Sequence, residues 1–101
     1  MKPEGTEQPC DTTRTAYKNP SSTPMDVTVE IVDRCKTDGI LIVYDKSNHK
    51  VRAASIPHGS TVTVVLQVPD SGRIDLDCNG VSGTGNGCTC SILATLAASA
   101  T

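Results

Sequence analysis

Phenylalanine and tryptophan are absent from this chain, and its aromatic side chains are Tyr17 and Tyr44 alone. Large rings usually dominate core burial. A chain of 101 residues buries only about two-thirds of its unfolded surface. Its interior must therefore come from Val, Ile, Leu and Cys. Five cysteines are high usage at this length. A thin core with many sulfurs is the profile of a domain supported by disulfides in an oxidising compartment.

The apolar residues recur with period two, which places alternate side chains on opposite faces of a strand. In "VTVEIV", Val27, Val29 and Ile31 share one face. "ILIVY", Ile40 to Tyr44, is a continuous apolar run that predicts a strand buried on both faces. "VRAASI" is a weaker strand. In "STVTVVLQVP", Val62, Val64, Leu66 and Val68 face one way before Pro69 ends the ladder. "RIDLDC" places Ile74, Leu76 and Cys78 inward, with Arg73, Asp75 and Asp77 outward. In the tail from Cys88, Cys90, Ile92 and Leu96 suit a strand while Ile92, Leu93, Leu96 and Ala97 suit a short helix; a strand to about Leu93 with a fraying alanine-rich end is the favoured reading. Short strands separated by frequent turn signals predict an all-β fold, a small antiparallel sandwich or open barrel of about six to seven strands.

"VTVEIVDRCKTDGILIV" and "VTVVLQVPDSGRIDL" echo each other as strand, polar turn and strand, and they read as two hairpins stacked face to face. Residues 1–25 carry Pro3, Pro9, Pro20 and Pro24 among polar residues and read as an arm or linker. Cys10 and Tyr17 are its expected attachments, by a bridge and by packing. Residues 26–101 form the disulfide-supported domain.

If the strands ending at Cys78 and starting at Cys88 are consecutive and antiparallel, the nine residues "NGVSGTGNG" are their loop and the two cysteines stand nearly opposite. Facing β-carbons in such a pair suit a disulfide. Cys78–Cys88 is the first expected bridge, with Cys90 a near rival to Cys88. A second bridge, Cys10–Cys35, would fasten the arm and leave Cys90 as the free thiol. A structural zinc using Cys78, Cys88, Cys90 and either Cys35 or a histidine competes for the same sulfurs, but the chain lacks the paired CxxC knuckles such sites favour.

Asp75, Asp77, Asn79 and Gly80 reproduce the opening D-x-[DN]-x-[DN]-G of a calcium loop. The twelfth position is Asn86, where a bidentate Glu is needed, and no helix pattern flanks the segment. Any calcium held by Asp75, Asp77 and Asn79 would be weakly bound; otherwise no cofactor is expected. "GVSGTGNG" misses both a nucleophile elbow and a dinucleotide loop. His49 and His58 lie in polar turns and read as solvated side chains.

The net charge is −2 and no basic run is present, which disfavours nucleic acid and anionic membrane as partners. No apolar run approaches a membrane span. The opening "MKPEGTEQPC" lacks the basic start and apolar stretch of an export signal. An exported chain would have lost that signal, with Met1 not its native start; a cytosolic chain would keep its thiols reduced. Sulfurs at strand ends and turns favour the first, so the expected location is secreted, periplasmic or cell surface.

The cadence "SIPHGSTVTVVLQVP", a strand, a proline-glycine turn and an alternating strand, resembles immunoglobulin-like bacterial surface modules over those fifteen residues. The resemblance implies architecture alone. The expected function is a non-enzymatic binding or structural module acting through loops and sheet edges on a protein partner. Its expected contact surface is the 79–87 loop together with the turns "DKSNHK" and "PHGS". A homodimer through a free cysteine or a sheet edge is a further expectation. The alternatives are a weak calcium or zinc protein using residues 75–90, and a small redox protein using an exposed Cys90 or Cys35.

Overall fold

The computed structural model describes residues 5–78 and 87–96. Within them the fold is all-β, a sandwich of two four-stranded antiparallel sheets. The strands are β1 (Gly5–Gln8), β2 (Thr12–Lys18), β3 (Met25–Asp33), β4 (Gly39–Tyr44), β5 (Lys50–Ile56), β6 (Thr61–Val68), β7 (Arg73–Cys78) and β8 (Cys88–Leu96). One sheet runs β1-β8-β3-β6 and the other β2-β7-β4-β5.

This order has a simple origin. β1 pairs with β8, β2 with β7, β3 with β6 and β4 with β5, as if one long ribbon of strands one to four were laid against strands eight to five. Rolling that ribbon brings β8 against β3 and β7 against β4, which completes both sheets. The result is the connectivity of an eight-stranded jelly roll. An immunoglobulin-type sandwich would instead pair β1 with β2 and β2 with β5. The immunoglobulin-like style suggested by fifteen residues therefore does not extend to the topology.

Three further expectations need correction. Residues 5–18, read as part of an arm, supply two edge strands. An edge strand needs one hydrogen-bonded neighbour and little apolar surface, so "TTRTAYK", rich in β-branched Thr, suffices. A register shift between Thr15 and Tyr17 sets Tyr17 opposite Ile74, and Tyr17 packs against the core. Among the described residues the strands number eight, in line with the expected small sandwich of about six to seven.

Second, β3–β4 and β6–β7 are not hairpins. Each crosses from one sheet to the other, and the two crossings pair strand for strand. Third, β4 is buried on one face: Leu41 and Val43 are fully buried, whereas Ile40 is 37% exposed and Ile42 and Tyr44 are half-buried.

The interior follows the alternation closely. Val27, Val29 and Ile31 of β3 and Leu66 and Val68 of β6 face Leu41 and Val43 of β4 and Ile74 and Leu76 of β7. Cys35, Cys78, Cys88 and Cys90 extend this cluster toward one end of the sandwich. β8 reaches Leu96, beyond the expected Leu93; the alanine-rich end lies outside the described residues.

Candidate functional site

The strand directions gather four connections at one end: β1–β2, β3–β4, β5–β6 and β7–β8. All five cysteines lie in or beside three of them. Cys10 is joined to Cys35 and Cys78 to Cys88, with Cα separations of 5.9 and 6.0 Å. Cys90 is free and buried.

The pairing of Cys78 with Cys88 follows from a different geometry than the one expected. β7 and β8 belong to opposite sheets, so the bridge spans the interior and is not a cross-strand link. Cys10 and Cys35 sit in two sheet-to-sheet connections, and their bridge ties these together. Cys35 and Cys78 bring the two bridges into contact, Sγ to Sγ, at 3.5 Å.

Asp33, the last residue of β3, shares this end and is fully buried. Its Oδ1 accepts the backbone N–H of Cys35 at 2.8 Å, which turns the chain out of one sheet and toward the other. Its Oδ2 has no hydrogen-bond partner. The backbone of Asp33 is held by the neighbouring turn: its N–H donates to the Ser60 carbonyl, and its carbonyl accepts from Gly59. The Arg34 N–H donates to the Gly87 carbonyl, and the Arg34 guanidinium donates to Thr89. Gly87 is a glycine for two reasons: its φ is +88°, and a Cβ there would collide with the Gln8 carbonyl.

On the rim, His58 Nδ1 lies 2.8 Å from Asp38 Oδ1, and the His58 backbone N–H donates to the same oxygen. The backbone bond, then the ring contact, hold the Asp38 carboxyl below its usual range. Ser60 next to this pair gives its hydroxyl to the Pro57 carbonyl at 2.6 Å. The constellation caps a turn.

The expected contact surface divides between the two ends. "PHGS" stands at the cysteine end, whereas "DKSNHK" lies at the opposite end beside Pro69–Gly72. There Lys46 approaches Asp70 at 3.7 Å, Asn48 accepts from Arg73, and His49 pairs with Asp45 at 3.6 Å. β4 and β5 each run the length of the sandwich, so consecutive turns alternate between its ends. Residues 79–86 lie outside the described residues, but both anchors of that loop, Cys78 and Cys88, are at the cysteine end.

Of the residues expected to hold calcium, Asp75 is engaged on the outer face, Asp77 shares its strand and Asn79 is not described. Asp75 accepts from Thr15 at 2.9 Å and pairs with Arg73 at 3.2 Å on the outer face, where the Arg73 guanidinium lies 4.4 Å from the Tyr44 ring centre. Asp77 lies in the same strand, and Asn79 is outside the described residues. The groupings of metal-capable side chains among the described residues are at the cysteine end, Cys10 with Cys35 and Cys78, and Asp33 with Cys35 and Cys88.

Cys90 faces the interior, so neither a link to a second chain nor thiol chemistry is open to it in the folded molecule. Burial pushes its thiol up to about 11. Cys35 is bridged and buried. Asp33 escaped sequence reading because a carboxylate at a strand end reads as a turn residue, although the Asp-x-Cys spacing was a usable signal.

No protein-family model, curated protein or solved structure matches this chain. The fold and the cross-linked end define its class: a disulfide-bridged eight-stranded β-sandwich.

Proposed function

We propose that the chain is a non-enzymatic binding or structural module of an exported or cell-surface protein, acting on a protein partner through the connections at its cysteine end. One observation carries this reading: both bridges lie at that end, and Cys78–Cys88 closes the base of the 79–87 loop covalently. A loop tied at its base loses less conformational freedom when it binds, which favours recognition. A rigid sandwich that presents loops from one end is a common arrangement for recognition.

Two intact bridges suit an oxidising compartment. No helix among the described residues is long and apolar enough to cross a membrane. The sheet edges β5 and β6 offer a second route to a partner or to another copy, now that Cys90 does not. Lys50 and Arg52 on β5 are exposed, and charges of this kind discourage indiscriminate edge pairing.

The test compares the intact module with one in which residues 79–87 are replaced by a glycine-serine loop of equal length between Cys78 and Cys88. Both are immobilised and offered the envelope and extracellular proteins of the source cells. Capture of a discrete protein by the intact module and its loss in the replacement, with unchanged melting temperatures, is the expected result. Equal capture by both, or none by either, overturns the reading. A free-thiol count above one in chain isolated unreduced from its source cells overturns the oxidising compartment.

A further inference from the structure

The four bridged sulfurs fall in two overlapping groups that share Cys35. The sulfurs of Cys10, Cys35 and Cys78 all lie within 4.8 Å of one another, with Cys35 and Cys78 at 3.5 Å. Cys88 joins the group through its bond to Cys78. Zinc held by four thiolates has Zn–S distances of about 2.3 Å, which fixes the edges of the sulfur tetrahedron at about 3.8 Å. The Cys35–Cys78 separation is already close to such an edge. Opening both bridges requires each bonded pair to part from 2.09 or 2.13 Å to about 3.8 Å, a displacement of roughly 0.8 Å per sulfur.

We propose that the reduced chain binds one zinc ion through Cys10, Cys35, Cys78 and Cys88, so that two disulfides close this end in oxidising surroundings and one metal ion closes it in reducing ones. The inference goes beyond the binding-module reading and does not rest on it. The ligands come from three connections that the rolled topology brings together, which is why a four-sulfur site exists here without CxxC pairs. Cys90, on the next inward position of β8, belongs to neither metal-capable grouping.

The chemistry balances. A phosphine reductant gives two electrons to each disulfide, taking an oxygen from water, and four thiols result. Zinc binding then displaces the four thiol protons. Four thiolates around a dication leave two net negative charges. A carboxylate oxygen of Asp33 lies within 4.8 Å of the Cys35 and Cys88 sulfurs.

The experiment reduces the full chain with a water-soluble phosphine, titrates it anaerobically with Co²⁺ and then displaces the cobalt with Zn²⁺. One cobalt per chain with tetrahedral thiolate spectra, displaced by zinc, is expected. Zinc should raise the melting temperature of the reduced chain and protect Cys10, the half-buried sulfur, from alkylation. Cys90→Ala should retain all of this, Cys35→Ser should lose it, and unreduced chain should bind no metal. The proposal fails if reduced chain shows no thiolate-to-cobalt bands, whether it stays folded or fails to refold on adding metal. It fails equally if the bands survive in Cys35→Ser or vanish in Cys90→Ala.

Discussion

The sulfurs of Cys35 and Cys78 stand 3.5 Å apart although they belong to different bridges. Two disulfides in contact at one end of a sandwich can exchange partners if one sulfur becomes a thiol. Exchange proceeds by thiolate attack on a neighbouring disulfide sulfur. Cys10→Ser leaves Cys35 as such a thiol beside Cys78. Peptide mapping under non-reducing conditions is expected to find a Cys35–Cys78 bond with Cys88 free in a measurable fraction of the chains. A map with Cys78–Cys88 wholly intact would show that the contact is not competent for attack.

The Cys10–Cys35 bridge spans 25 residues, and loop closure of that length is worth about 3 kcal/mol. Cys10→Ser/Cys35→Ser is expected to lower unfolding free energy by that order in urea titrations. Hydrogen exchange should rise first in β1 and β2, since those edge strands lose their tether. A loss below about 1 kcal/mol would mean that hydrogen bonding alone holds the N-terminal strands.

Cys90 should be unreactive in the native state. With its thiol raised to about 11, only about a thousandth is ionised at pH 8, so alkylation should be slow until denaturant is added. The sign of the pH effect follows. The folded thiol keeps its proton beyond the ordinary value of 9.0, so above pH 9 the folded state retains more protons than the unfolded one. Stability is expected to fall between about pH 9 and 11, and Cys90→Ala should flatten that part of the curve. An unchanged alkaline limb in the variant would count against this account.

Asn19 organises the opposite end. It is 1% exposed, its amide donates to the carbonyls of Thr23, Val68 and Pro69, and its Oδ1 accepts from Ser21. Asn19→Ala strands several of these groups, each costing about 1–3 kcal/mol where it is buried. A loss of about 3 kcal/mol by chemical denaturation is expected. Less than 1 kcal/mol would imply that water replaces the amide at little cost.

Asp38 offers a finer test at the cysteine end. Its carboxyl is held low first by the His58 backbone N–H and second by the His58 ring. His58→Ala removes the ring alone and leaves the backbone N–H, the largest single cause, so part of the depression should persist in an NMR titration of the Asp38 side chain. A lowered carboxyl stabilises the fold above the unfolded value and loses that contribution as pH falls through the folded one. The effect should therefore appear below about pH 4. Full return of the Asp38 midpoint to its ordinary value in His58→Ala would reverse the order of causes.

Much of the interior was legible in the chain. Val27, Val29, Ile31, Leu66, Val68, Ile74, Leu76 and Cys78 are inward as their alternation requires, because side-chain direction along a strand is a local property. "TTRTAYK" was not legible as a strand, since an edge position asks for one neighbour and little apolar content. The crossings were misread as hairpins for a related reason. A five-residue connection such as Arg34–Asp38 can return along the same sheet or cross to the other, and the alternation on either side is identical.

Sequence alone therefore determined which residues turn inward, that the body is made of strands, and that sulfur reinforces an interior without large rings. The tertiary structure decided which sheet each strand joins, which turns share an end, and that two bridges touch beside the buried Asp33. The division is physical: periodicity acts between residues two apart, whereas partner choice depends on contacts between segments tens of residues distant, which exist only once the ribbon has rolled.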